Sequence, residues 1–172
     1  MISANSANTK FAVGDQVVHP QHGVGFVAGL EEKQFVPNTS RMYYVVSIPD
    51  TTLWVPVDFA TSGLRKLGLR SDLEQCRQVL QAPPRALTPG RELLAGLSER
   101  IKQGSIVTQC EVVRDLTAFG WQKPLYGSIA DFQRMVLKVL CQEWAAVNEV
   151  SQADASQEIN GLLKKARASQ KL

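Results

Sequence analysis

Two regimes of hydrophobic patterning divide this chain. From Val13 to Leu67 the apolar residues come in short β-branched or aromatic runs, punctuated by Gly, Pro and Asp, with no helical period running through them. The runs predict a strand at Gln16–His19 and a second at Gly23–Leu30. In the second, Gly23, Gly25 and Gly29 permit a strong bend or bulge. A third strand is expected at Met42–Ile48 after a Val36–Ser40 turn built on Pro37 and Asn38, and a fourth at Leu53–Val55 after the Pro49-Asp50 turn. Val57–Ser62 reads as one helical turn closed by Gly63, and Leu64–Leu67 as a short fifth strand. Five short, bent strands describe a small β-barrel.

After Arg70 the apolar spacing becomes 3.6. Ser71-Asp72-Leu73-Glu74 has the order of a capping box, after which Leu73, Cys76 and Leu80 share one helix face until Pro83-Pro84 ends it. Thr88-Pro89 reads as an N-cap with a first-turn proline, Leu93, Leu97 and Ile101 as the next stripe, and Gly104 as its end. Ser105 opens a third helix with Ile106, Val107, Cys110 and Val113 inward. Beyond a Gly120–Gly127 loop, Ser128 is expected to cap a long helix carrying Ile129, Phe132, Val136, Val139, Leu140 and Val147. A last helix from about Ala155 to Ala168 carries Ile159, Leu162, Leu163 and Ala166, and its basic end (Lys164, Lys165, Arg167) complements a helix C-terminus. The fold class is therefore α+β. Residues 10–70 form a β module and residues 71–172 an all-α bundle.

Composition narrows the class. The chain has 172 residues, 44% of them hydrophobic, and a net charge of +3, so the sum of charge does not itself declare a nucleic-acid binder. Cys76, Cys110 and Cys141 form no CxxC and no even-numbered framework, and each falls on a helical stripe. They read as reduced, buried thiols in a cytoplasmic protein. No run reaches the roughly 20 apolar residues of a membrane span. Met1–Thr9 is polar, lacks the order of a signal peptide and reads as a frayed tail.

Candidate chemistry is sparse. His19 and His22 frame H-P-Q-H, but no third ligand stands at metal spacing, so they read as turn-edge histidines and no metal or cofactor is expected. No Ser/His/Asp or Cys/His grouping suggests a nucleophile. G-V-G-F-V-A-G enters a strand and is no phosphate cradle. No catalytic residue is expected. Between Arg65 and Lys102, eight basic residues (Arg65, Lys66, Arg70, Arg77, Arg85, Arg91, Arg100, Lys102) face four acidic ones (Asp72, Glu74, Glu92, Glu99), an excess larger than that of the whole chain. Such a segment is either a phosphate-binding face or an ordinary solvated helix surface. Trp54 is an exposed contact anchor if Leu53 and Val55 point inward, and a core residue in the opposite register. Trp121 and Trp144 read as packing residues.

The motifs G-D-Q-V-V-H-P-Q-H-G-V-G at Gly14–Gly25, Y-Y-V-V at Tyr43–Val46, V-P-V at Val55–Val57 and G-L-R-K-L at Gly63–Leu67 together resemble the CarD family of bacterial transcription regulators (CarD and CdnL proteins). Their N-terminal module also occurs in the transcription-repair coupling factor, a large ATPase. This chain has no P-loop, so the short form fits. E-R-I-K-Q-G-S, E-V-V-R-D-L and Q-R-M-V-L-K-V-L-C-Q-E resemble the family's helical domain, and the likeness spans Val13 to Ala146.

The resemblance implies a protein without catalysis. Its Tudor-like barrel would dock on the RNA polymerase β subunit, and its helical domain would reach promoter DNA and stabilise the open complex. It further implies a cytoplasmic, monomeric protein, nucleoid-associated through polymerase and without membrane contact. Carried over, the polymerase face comprises Lys33, Val45, Trp54 and Pro56, with Trp54 where relatives carry Arg or another long side chain. On the DNA side, the family's W-x-R-R-Y pattern aligns with Gly90-Arg91-Glu92-Leu93-Leu94. The Trp wedge is thus Gly90 and an expected arginine is Glu92, leaving Arg85, Arg91, Arg100 and Lys102 for phosphate contact. Promoter contact is expected to be weaker than usual for the family. The alternative is a polymerase-bound protein–protein adaptor with little or no DNA contact.

Overall fold

In the computed structural model, residues 10–58 and 63–170 are described. The polar N-terminal tail and the latter part of the expected helical turn, residues 59–62, lie outside them. β1 (Gln16–His19), β2 (Gly23–Val36), β3 (Thr39–Ile48), β4 (Thr51–Pro56) and β5 (Arg65–Lys66) precede α1 (Asp72–Gln81), α2 (Leu93–Gln103), α3 (Ile106–Phe119), α4 (Gly127–Asn148) and α5 (Gln152–Ser169). The α+β order read from the sequence is the order observed.

The strands form one antiparallel sheet in the order β4-β3-β2-β1-β5. β2 and β3 are longer than their apolar runs because the Pro37-Asn38 turn, with Asn38 at φ 61°, joins them as an extended hairpin past the core. β2 is irregular between Val27 and Gly29 and again between Lys33 and Val36. Gly25 answers to close packing: a Cβ there would lie 2.4 Å from the Ser47 carbonyl oxygen. Alternation sends Val17, Val27, Tyr44, Val46 and Val55 to one face, where with Phe11, Ile48 and Leu64 they form a buried cluster.

The helices enclose a second core, built on Leu73, Cys76, Leu80, Ile106, Cys110, Leu116, Leu140, Trp144 and Ile159. All three cysteines are free and buried in it. Trp144 is fully buried. Its indole N–H donates to Glu158 Oε2 at 3.1 Å, and Arg77 lies over its ring at 5.6 Å while pairing with Glu158 at 2.6 Å. One aromatic thus ties α1, α4 and α5 together. No helix among the described residues is long and apolar enough to cross a membrane.

Several local expectations fail for definable reasons. Ser71 makes no side-chain cap because its backbone (φ −63°, ψ −24°) is already helical, whereas a capping side chain needs an extended residue. Asp72 accepts the Leu69 N–H instead, at 2.7 Å. Thr88-Pro89 does not open α2, which begins at Leu93. The intervening residues form a turn instead, in which the Leu93 N–H bonds the Gly90 carbonyl at 3.3 Å and Glu92 precedes the helix. α4 starts one residue before Ser128. α5 starts ahead of Ala155, because Ser151 caps it by accepting from the Asp154 N–H at 3.0 Å.

Sheet and helices meet through a buried ion pair. Arg65, on β5, donates to both oxygens of the fully buried Glu143 on α4 at 2.6 and 2.7 Å, and the Gly68 N–H donates to Glu143 Oε1 at 2.9 Å. The Arg65 Nη2 that bonds Glu143 Oε2 also donates to Gln109 Oε1 at 3.3 Å. A charge this deep is tolerable only when fully paired.

Candidate functional site

The sheet's outer face is fixed by register. Val45 pairs with Trp54 and Gly29, and Tyr43 with Pro56 and Glu31. Residues two apart on a strand share a face, so Lys33, Val45, Trp54 and Pro56 all lie on the side opposite the Tyr44–Val46–Val55 core. Trp54 is 41% exposed while Val55 is buried, which decides the register that the sequence left open.

Trp54 is also held in place. Its indole N–H donates to Glu31 Oε2 at 3.0 Å, and Lys33 bridges to the same carboxylate at 3.1 Å while lying 5.6 Å from the Trp54 ring centroid. The Trp54 hydrogen bond, followed by the Lys33 contacts, holds the Glu31 carboxyl below its ordinary pKa. Phe35 stands against Tyr43 edge to face at 5.1 Å and extends the exposed aromatic surface. Glu31, Phe35 and Tyr43 escaped the sequence reading. The i, i+2 spacing of Glu31, Lys33 and Phe35 was the available signal, but it becomes useful only once the hairpin register is known.

The basic residues that the sequence offers for phosphate contact, Arg85, Arg91, Arg100 and Lys102, are not gathered into one patch. Arg85, Gly90 and Arg91 lie exposed on the irregular segment between α1 and α2. The Arg85 backbone amide donates to Asp115 Oδ1 at 2.9 Å, which fastens this segment to α3. Arg114 Nε donates to the same oxygen at 2.8 Å. Asp115 Oδ2 has no hydrogen-bond partner among the described residues and faces Arg100 at 4.0 Å. Arg100 is further committed to Glu111 at 3.0 Å. Lys102 stands apart, beside Gly63 and close enough to His19 to perturb it. Gly90 leaves open space: a Cβ there meets nothing within 4 Å, and the residue borders a shallow depression that also touches Leu93, Gly96 and Arg100.

His19 serves the turn. Its Nδ1 accepts the Gln21 and His22 backbone amides at 3.2 and 3.3 Å. Burial, then the positive charges of His22 and Lys102, lower its pKa to about 4, so the ring is neutral at ordinary pH. Among the described residues no three His, Cys, Asp or Glu side chains group as metal ligands.

The comparisons agree with this organisation. Residues 11–68 match the family model described as the CarD-like/TRCF RID domain. Over 122 residues, 69% of this chain and 79% of the relative, the sequence is 31% identical to the Bacillus subtilis (strain 168) protein named "Putative transcription factor YdeB". With a CarD-like module over the sheet and a relative of this name aligned well beyond it, the chain belongs to the CarD family of transcription regulators.

Proposed function

We propose that this protein regulates initiation by docking on the β subunit of RNA polymerase through the outer face formed by Lys33, Val45, Trp54 and Pro56. The observation that carries the reading is the buttressed Trp54: an exposed indole fixed by Glu31 and Lys33, beside Pro56, on a face with no core role. Large rigid aromatics that lose little freedom on binding are the usual energetic centres of protein interfaces. The sheet acts as the family's Tudor-like barrel, the boundary with the helical domain lies near Arg70, and the protein works as a cytoplasmic monomer without catalysis.

From that anchor the helical domain is carried to promoter DNA at the upstream edge of the bubble. A regulator stabilises the open complex only by its differential affinity for melted over closed DNA. Arg85 and Arg91 supply phosphate contact. With Gly90 in place of an aromatic wedge that difference is small, and DNA contact is weaker than usual for the family.

Intact core polymerase captured by this protein tests the docking. Trp54→Ala and Pro56→Ala should each weaken capture, Trp54→Ala by about 2 kcal/mol or more. Capture unchanged by both variants would overturn the assigned face. Open-complex lifetime on one promoter then tests the second step. A lifetime longer with the protein supports promoter contact through Arg85 and Arg91.

The adaptor reading has its own support in the commitment of Arg100 to Glu111, the separation of Lys102, and the bare Gly90. It predicts polymerase capture with no change in lifetime and no affinity for promoter DNA even at low salt.

A further inference from the structure

Trp121 stands between two cavities at the far side of the helical bundle. The larger, about 740 Å³, runs from the Pro84–Pro89 segment to the loop after α3; the smaller, about 460 Å³, opens between α3, α4 and α5. Both volumes fall within the roughly 300–1,000 Å³ range of ligand pockets. Trp121 lines both.

The two cavities differ in chemistry. Leu87, Pro89, Pro124 and Leu125 join Trp121 in walling the larger one, a largely apolar slot with Arg85 and Lys123 among its lining residues. Arg134, Lys164 and Arg167 line the smaller, and no carboxylate does so among the described residues. Asp131 shares Arg134 through an exposed pair. Among the described residues the one carboxylate lining the larger cavity is Asp115, buried and engaged by Arg114 and the Arg85 amide.

Arg167 also lies 5.9 Å from the Trp121 ring centroid and donates to its carbonyl at 3.5 Å. The basic end of α5, which the sequence explains as a complement to the helix terminus, therefore sends two of its three cations to this cleft.

We infer that the Trp121 cleft binds an unpaired nucleotide, its base in the slot beside Trp121 and its phosphates on the cations around it. An apolar slot bearing one indole, with two cations among its own lining and three on the adjoining cavity, matches a ligand that is planar and apolar at one end and anionic at the other. An acidic peptide would leave the slot unfilled, and an apolar peptide would leave the cations without partners. A base within a duplex cannot enter, because both its faces are already stacked. The inference does not rest on polymerase docking; it shares Arg85 with the proposed promoter contact, and Pro89, which lines the slot, adjoins Gly90. The nucleotide is either free or part of a melted strand, and the two sources share this chemistry.

Fluorescence anisotropy of a labelled single strand of about twelve nucleotides with the full chain tests it. The strand should bind at low salt and outcompete its own duplex. Trp121→Ala should weaken binding roughly tenfold, with Trp121→Phe retaining most of it, since stacking survives on the smaller ring. Lys164→Ala with Arg167→Ala, both exposed, should lower the slope of log affinity against log salt by about 1.4. Displacement by AMP or CMP at micromolar concentration assigns the site to free nucleotides; displacement by unlabelled strand alone assigns it to a strand, and either supports the cleft. Trp54→Ala should leave strand binding intact, which separates this site from the docking face. Absence of binding at low salt, equal affinity in both sets of variants, or displacement by polyglutamate as effective as by unlabelled strand would overturn the inference.

Discussion

The carboxylate of Asp115 on α3 accepts the backbone amide of Arg85 at 2.9 Å, and this bond fastens the segment between α1 and α2 to the bundle. Pro83, Pro84 and Pro89 keep that segment from becoming helix, so it has no ladder of its own, and its best-positioned amide finds a buried acceptor on a neighbouring helix. Asp115→Ala would leave the buried Arg114 with only the Val79 carbonyl and no carboxylate, and the Arg85 amide without its acceptor. The expected loss is about 3–5 kcal/mol of unfolding free energy, read by urea denaturation. A loss under about 1 kcal/mol would mean that the segment is held by its proline and leucine packing alone.

Glu143 and Arg65 set the join between sheet and helices. Removing one member of a buried ion pair strands the other, so Glu143→Ala should cost about 3–5 kcal/mol. Replacing both, Arg65→Met with Glu143→Leu, should cost clearly less than the sum of the two single changes. A double-mutant cycle measured by denaturation checks this, and strict additivity would show that the pair is not coupled.

Gly90 offers a direct test of the missing wedge. Its backbone has no positive φ and its Cβ direction is open, so Gly90→Trp should fold with stability within about 0.5 kcal/mol of the parent. If promoter contact is limited by the absent aromatic, the variant should lengthen open-complex lifetime roughly fivefold, as expected for one stacking contact of about 1 kcal/mol. An unchanged lifetime in a stably folded variant would indicate that the α2 end does not meet DNA.

His19 gives the sheet a pH dependence. Its folded pKa is about 4, below the 6.5 of the free side chain, so the unfolded chain binds the proton first. Its contribution is complete above pH 6.5 and declines as the pH falls from there through about 4. His19→Asn keeps an acceptor for the Gln21 and His22 amides but does not titrate. The variant should therefore lose less Tm than the parent between pH 7.5 and about 4.5 in thermal melts. Equal losses would assign the acid sensitivity to other groups.

Much of the architecture could be read from local spacing. Leu73, Cys76 and Leu80 recur at helical intervals, and Tyr44, Val46 and Ile48 at every second position of β3, because a periodic backbone must turn one side to the core wherever it sits. Element ends were less visible. Ser71 and Thr88 have the residue types of caps, but whether a cap forms depends on the dihedral angles that the preceding chain imposes. The motifs around Gly14–Gly25 and Gly63–Leu67 carried the family, and with it the four positions now found on one face of the sheet.

What the chain determines by itself is therefore what short-range geometry enforces: the order of strands and helices, the inward stripes, and the change of period near Arg70. The tertiary structure alone decided which way Trp54 points, since that follows from the pairing of β4 with β3 and not from the composition of β4. It alone joined Arg65 to Glu143 across 78 residues and Arg85 to Asp115 across 30. It alone set Trp121 beside the cations of α4 and α5. Each of these pairings joins groups far apart in sequence, and no local period encodes a partner at that distance. They form because a buried charge, amide or indole costs several kcal/mol until the fold supplies something for it to meet.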